Sequence, residues 1–171
     1  HLGLFFDDEL NCTSPIFSYG HDIEAAWLMD EAAHVLGDKT VIEKVKKVIH
    51  RVTDEADRGF IGPYAGMIHE LNSKTGEIDA HREWWPQCEA IIGYVNAFQR
   101  FGNNDYLVKA CDVWTFVKNH IIDHEKGEWY WGIHADGTPM LEQDKIGFWK
   151  CPYHNSRMCL EVYERSKELG I

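Results

Sequence analysis

Three stretches of helical character in this chain end in a glycine at matching positions: Leu36-Gly37-Asp38, Phe101-Gly102-Asn103 and Leu169-Gly170. The first two glycines are 65 residues apart and the third follows 68 residues later. Glycine just past the last apolar residue of a helix is a stop signal, because it enters the left-handed conformation without a steric penalty. Each unit also has the same internal order, a mostly apolar helix followed by an amphipathic one. Residues 21–36 predict the first apolar helix, and residues 39–57 its partner, with Asp38 as the cap. The partner carries Val41, Ile42, Val45, Val48, Ile49 and Val52 at helical spacing, and Glu43, Lys46, Lys47 and Arg51 on its other face. Residues 85–101 and 105–122 repeat the pattern, and a third inner helix is expected from His154 to Leu169. Between units, Gly59, Gly62, Pro63, Gly66 and Gly76 predict a loop or irregular hairpin, and Glu128 to Ile133 predicts a strand with a turn after it. The expected fold is all-α: an α/α toroid with short β-hairpins between helix pairs, of which three repeats make about half of a closed ring.

Placing the glycines in register aligns the residues that can carry chemistry. His21 lies 16 residues before Gly37, and His154 lies 16 before Gly170; Pro86 holds that place in the middle unit. Glu24 and Glu89 each lie 13 before their glycines. In a ring of stacked helix pairs, equivalent positions point into one central space from one rim. Histidine titrates near neutral pH and suits proton transfer. Both histidines fall at helix N-termini, where the macrodipole disfavours imidazolium and helps keep a neutral base. Glu24 is one turn beyond His21, placed to orient the imidazole or to hold a substrate hydroxyl. The plainer alternative, a solvated first-turn glutamate, fits poorly with its place on the more buried helix. Trp27 and Trp114 lie within helices and read as core. Trp84, Trp85 and Trp149 precede helix starts at the rim of the histidines, suited either to the C–H face of a sugar or to rim packing. Trp129 and Trp131 alternate in the expected strand and should face one side of it.

Composition narrows the partners. The net charge is −11 and no basic cluster occurs, which argues against nucleic acid and against an anionic membrane surface. No apolar run reaches the length of a membrane span. The five cysteines are scattered without a C-x-x-C, so neither a zinc site nor a disulfide framework is indicated, and a reducing, cytoplasmic home is the simpler expectation. With no H-E-x-x-H, no metal is expected; nor is there a phosphate-binding loop or a nucleophile elbow.

Three segments together carry a family resemblance: Ser18-Tyr19-Gly20-His21-Asp22-Ile23-Glu24-Ala25-Ala26-Trp27, Trp84-Trp85-Pro86-Gln87-Cys88-Glu89-Ala90, and Trp149-Lys150-Cys151-Pro152-Tyr153-His154-Asn155. In this order they resemble the N-acylglucosamine 2-epimerase superfamily, and most of all its cellobiose (mannobiose) 2-epimerase branch. The resemblance implies an (α/α)6 barrel that inverts C2 of a reducing-end sugar through a cis-enediol, with no redox cofactor. It implies that His21 and His154 are the acid/base pair, that Glu24 and Glu89 belong to the site, and that Trp85 and Trp149 contact substrate. A full member of the family is more than twice as long. The expectation is therefore a truncated or proteolysed C-terminal portion, inactive alone, whose missing partner is the N-terminal half of the same protein. Three other readings stay open: a glycoside hydrolase or lyase using Glu24 and Glu89 on a similar toroid, an aldose–ketose isomerase, and a non-catalytic carbohydrate-binding module.

Overall fold

The computed structural model describes residues 1–170. Five α-helices carry the architecture: α1 (Tyr19–Leu36), α2 (Lys39–Asp57), α3 (Trp84–Phe101), α4 (Asn104–Phe116) and α5 (Tyr153–Leu169). Helices α1, α3 and α5 lie side by side as an inner layer; α2 backs α1, and α4 backs α3. This is the arc of an α/α toroid that the repeat implies.

The register glycines close the inner helices. Gly37, Gly102 and Gly170 have φ of 74°, 71° and 74°, and the Gly37 and Gly102 N–H groups donate to Ala33 O (3.1 Å) and Phe98 O (2.8 Å). The next residue then caps the outer helix. Asp38 accepts from the N–H groups of Thr40 (2.8 Å) and Val41 (3.2 Å), and Asn103 accepts from that of Asp105 (3.0 Å). Two residues thus end one helix and start the next, which forces the chain to turn back on itself.

Short strands fix the rim from which the inner helices start. β1 (Ile16–Ser18) runs directly into α1, and β4 (Arg82–Glu83) directly into α3. β1 pairs antiparallel with β2 (Glu70–Asn72), which pairs with β3 (Ile78–Asp79); β4 pairs with β5 (Gly132–Ile133). The buried Arg82 guanidinium donates to the carbonyls of Gly66 (3.1 Å), Ala80 (2.9 Å) and Ile61 (2.6 Å), tying the glycine-rich loop to β4. A single large apolar cluster, including Ile23, Trp27, Ile91, Ile92, Tyr94 and Phe116, joins the two layers.

Two expected elements come out differently. The helix expected over 105–122 is regular only to Phe116; Val117–Ile121 forms a wider π-turn. The chain leaves the helix there because its backbone is used from outside: Tyr130 N–H donates to Ile121 O (2.8 Å), and Ile122 bridges Trp129. The strand expected over Glu128–Ile133 shrinks to Gly132–Ile133, since Glu128 takes a left-handed φ of 59°. Trp129 and Trp131 therefore do not share one strand face: Trp129 lies 6.4 Å from Trp114, and Trp131 lies 4.6 Å from Trp84.

Gly93 lets α1 approach α3. A Cβ there would stand 2.4 Å from Ile23 Cγ1 and 3.3 Å from the Ile23 carbonyl oxygen. Replacing Gly93 with alanine should lower stability by about 1–3 kcal/mol through overpacking. Urea denaturation checks this, and an unchanged midpoint would contradict the close approach. Among the described residues no helix is long and apolar enough to cross a membrane, and all five cysteines are free.

Candidate active site

The rim brings the two histidines to one indole. His21, in the first turn of α1, has its ring 4.7 Å from that of Trp85; His154, at the start of α5, has its ring 5.7 Å from the same indole. Trp85 can lie there because Gly20 has no side chain: a Cβ on Gly20 would stand 2.6 Å from Trp85 Cη2. Glu83, the last residue of β4, fixes the indole by accepting from Trp85 Nε1 (2.8 Å), and accepts from Trp131 Nε1 (3.0 Å) with its other oxygen.

Each imidazole is held through Nδ1. His21 Nδ1 is 2.7 Å from Ser18 Oγ, and His154 Nδ1 is 2.7 Å from Glu89 Oε1. Against an ionised carboxylate, which only accepts, His154 Nδ1 is the donor, and the neutral imidazole in that tautomer carries its lone pair on Nε2. The sequence offered Glu24 as the group orienting His21. The structure gives that contact to Ser18, three residues before the histidine, and turns Glu24 toward α5.

There Glu24 meets Arg157. One guanidinium nitrogen, Arg157 Nη2, donates to Glu24 Oε1 (2.6 Å) and to Glu89 Oε1 (2.7 Å), so a single cation bridges the two carboxylates. Glu89 is fully buried, and its second oxygen accepts from Trp27 Nε1 (3.0 Å). Arg157 also lies over the rings of Trp27 (5.0 Å) and Tyr153 (4.5 Å) and donates to the Tyr153 hydroxyl. Burial opposes its charge, but its bonds to Glu89 and Glu24 outweigh that and hold the guanidinium above its ordinary pKa. The donor atoms of Glu24, Glu89 and His154 fall within 4.8 Å of one another, a spacing that could suit a metal ion. Arg157 already supplies positive charge between the two carboxylates.

The structure thus brings His21, Glu24, Trp85, Glu89 and His154 into one connected group. Trp149 stands apart on the loop before α5, 78% exposed and edge-on to Phe148. Trp84, which could have been a sugar platform, is buried against Trp131 with Lys150 Nζ 5.3 Å above its ring, so it packs the rim instead. Trp27 is core as expected, but its indole N–H also serves Glu89. Sequence reasoning missed Ser18, Glu83 and Arg157. For Arg157 a signal existed: it lies 13 residues before Gly170, the register of Glu24 and Glu89. The opposite charge at the third equivalent position is what joins the other two.

Two histidines on a shared indole, backed by an Arg-bridged carboxylate pair, form one candidate site at the rim of an α/α toroid. The chain belongs to the N-acylglucosamine 2-epimerase (GlcNAc 2-epimerase) family, whose profile matches residues 7–156. It is 47% identical over 162 residues to a cellobiose 2-epimerase of Bacteroides fragilis, covering 95% of this chain and 41% of that protein. A cellobiose 2-epimerase of Ruminococcus albus is 43% identical over 173 residues, covering 98% of this chain and 43% of the relative. The solved cellobiose 2-epimerase of Spirochaeta thermophila superposes with a TM-score of 0.92 at 37% identity, covering all of this chain and 43% of that one. A D-mannose isomerase of Marinomonas mediterranea is 26% identical over 98 residues, covering 57% of this chain and 25% of that protein. The chain spans about two fifths of the length of the cellobiose 2-epimerases it matches.

Proposed function

We propose that this chain supplies the C-terminal part of the catalytic barrel of a sugar 2-epimerase. Its substrate is a reducing-end sugar, either a cellobiose- or mannobiose-like β-1,4 disaccharide or an N-acylglucosamine. In the open-chain aldehyde, one histidine removes the proton on C2. The C–H electrons form the C1–C2 double bond and the C=O π electrons move to O1, which takes a proton from a donor in the site to give the cis-enediol and hands it back when the aldehyde re-forms. The other histidine returns a proton to the opposite face of C2, and the aldehyde re-forms. His21 and His154 take these roles, in an order set by the configuration of the substrate. Glu89 holds His154, Glu24 completes the pair around Arg157, and Trp85 and Trp149 offer aromatic surface to the sugar. The proton leaves and returns without net oxidation, so the reaction needs no redox cofactor.

The observation that carries this reading is the meeting of both imidazoles at Trp85, with His154 Nε2 left without a hydrogen-bond partner among the described residues. Membership of the family and the relatives named cellobiose 2-epimerase support it. The hydrolase alternative is weakened by Arg157: its guanidinium stands between the two carboxylates and hydrogen-bonds both, where a hydrolase needs one of the pair free to protonate the glycosidic oxygen. An aldose–ketose isomerase is the second reading, since it shares the enediol and the relatives include a D-mannose isomerase.

The N-terminal half of the same protein, on this proposal, closes the (α/α)6 ring. The arc has an open apolar groove of about 430 Å³ where α5 meets α3 and α4, lined by Ile91, Val95, Leu107, Trp114, Met158 and Val162. A surface of that kind calls for a covering partner. In deuterium oxide the full-length protein, given N-acetylmannosamine, mannose, cellobiose and mannobiose in turn, should convert at least one to its C2 epimer with deuterium at C2. A ketose carrying deuterium at C1 would instead establish the isomerase reading, and no exchange on any sugar would exclude both. The 171-residue chain alone should be inactive; full epimerisation by it would overturn the incomplete barrel.

A further inference from the structure

Arg157 sits where the inner helices converge, and it has more to do than neutralise two acids. Glu89 Oε1 accepts from His154 Nδ1 and from Arg157 Nη2, each at 2.7 Å, so one carboxylate oxygen carries both contacts. We propose that Arg157 is a positioning residue, which by bridging Glu24 and Glu89 keeps Glu89 ionised and pins His154 as the neutral tautomer with Nδ1 protonated and Nε2 bare. The inference deepens the epimerase reading, for a bare Nε2 is the form of His154 that can take a proton from carbon.

The argument is one of charge. Glu89 is fully buried, and a buried carboxylate is costly unless paired. The groups around it are few. Trp27 Nε1 comes from α1, and Glu24 comes from α1 through Arg157. His154, Arg157 and Tyr153 come from α5. Lys150, on the loop before α5, pairs with Glu128 (3.0 Å), as does the Asn155 amide (3.3 Å). Glu83 lies beyond Trp85 and is taken up by two indoles. Arg157 is thus the cation in direct contact with Glu89. Without it, two outcomes are open to the buried carboxylate. His154 can gain a second proton and become imidazolium, or Glu89 can take a proton and donate it to Nδ1, which shifts the imidazole to the Nε2–H tautomer. Both end with a proton on Nε2.

The nitrogen signals of His154 read this directly. In the full-length protein labelled with ¹⁵N-histidine, long-range proton–nitrogen correlation near neutral pH should show protonated Nδ1 and bare Nε2 on His154. R157K should keep that pattern, because the cation remains. R157Q should lose it, while the His21 pattern stays unchanged in both variants. If R157Q does not fold, E24Q/R157Q removes the uncompensated repulsion and carries the same expectation. A bare Nε2 persisting in R157Q or in the double variant would overturn the proposal, as would its loss in R157K. The readout needs no turnover, so it stands apart from any failure of the epimerase reading.

Discussion

Replacing either His21 or His154 with asparagine in the full-length protein should lower kcat by about 10²–10⁴-fold, the contribution of a positioned general acid or base. KM should change little, because asparagine keeps the polar edge of the side chain and leaves Trp85 in place. The double variant should be hardly slower than the worse single one: the proton must leave C2 and return within one turnover, so the two histidines act as a unit. Steady-state kinetics on the sugar that the wild type epimerises checks this. A carboxylate-driven hydrolase would behave otherwise, since at least one of the histidine variants should retain activity within a small factor. That outcome would remove the histidines from the mechanism.

Replacing Glu89 with alanine should lower the stability of the chain by about 3–5 kcal/mol, the cost typical of breaking a buried ion pair from one side. Three donors would lose their acceptor at once: Trp27 Nε1, His154 Nδ1 and Arg157 Nη2. Arg157 keeps Glu24 and remains partly exposed, which places the expectation toward the lower end of that range. Glu24→Ala should cost less, because Glu24 is itself partly exposed and its single hydrogen bond is to Arg157. Glu89→Gln retains an oxygen for the Trp27 indole and should fall between the two. Urea denaturation at neutral pH measures all three; a loss below about 1 kcal/mol for Glu89→Ala would show that the network is not a packing element of the toroid.

The parts of this architecture that follow local rules were legible in the sequence. Glycine closes a helix, an Asp or Asn after it caps the next one, and counting back from Gly37 and Gly170 puts His21 and His154 at one rim. The same count placed Glu24 and Glu89 together. What could not be read were the contacts made across the arc. The register points to Arg157, but a reading that looks for like residues at equivalent positions passes over a cation aligned with two acids. Nothing local to Glu24 says that it turns to α5, 133 residues away, rather than to His21 one turn back. Trp84 and Trp85 are adjacent and chemically identical; their different fates follow from the helix turn that puts Trp84 under Lys150 and Trp85 between the histidines. The π-turn at Val117–Ile121 depends on Trp129 and Tyr130 claiming the backbone of residues 121 and 122, a pairing that no helical periodicity announces.

The central claim is that two histidines serve one carbon, each handling the proton of one C2 configuration. The most direct test follows deuterium into both C2 epimers of the substrate in deuterium oxide, using full-length protein in which only one histidine remains. Each variant should exchange the C2 hydrogen of one epimer without inverting it and leave the other epimer unlabelled, and the preferred epimer should swap between His21→Asn and His154→Asn. If either variant labels both epimers alike, or if both variants favour the same epimer, the two-histidine account is wrong.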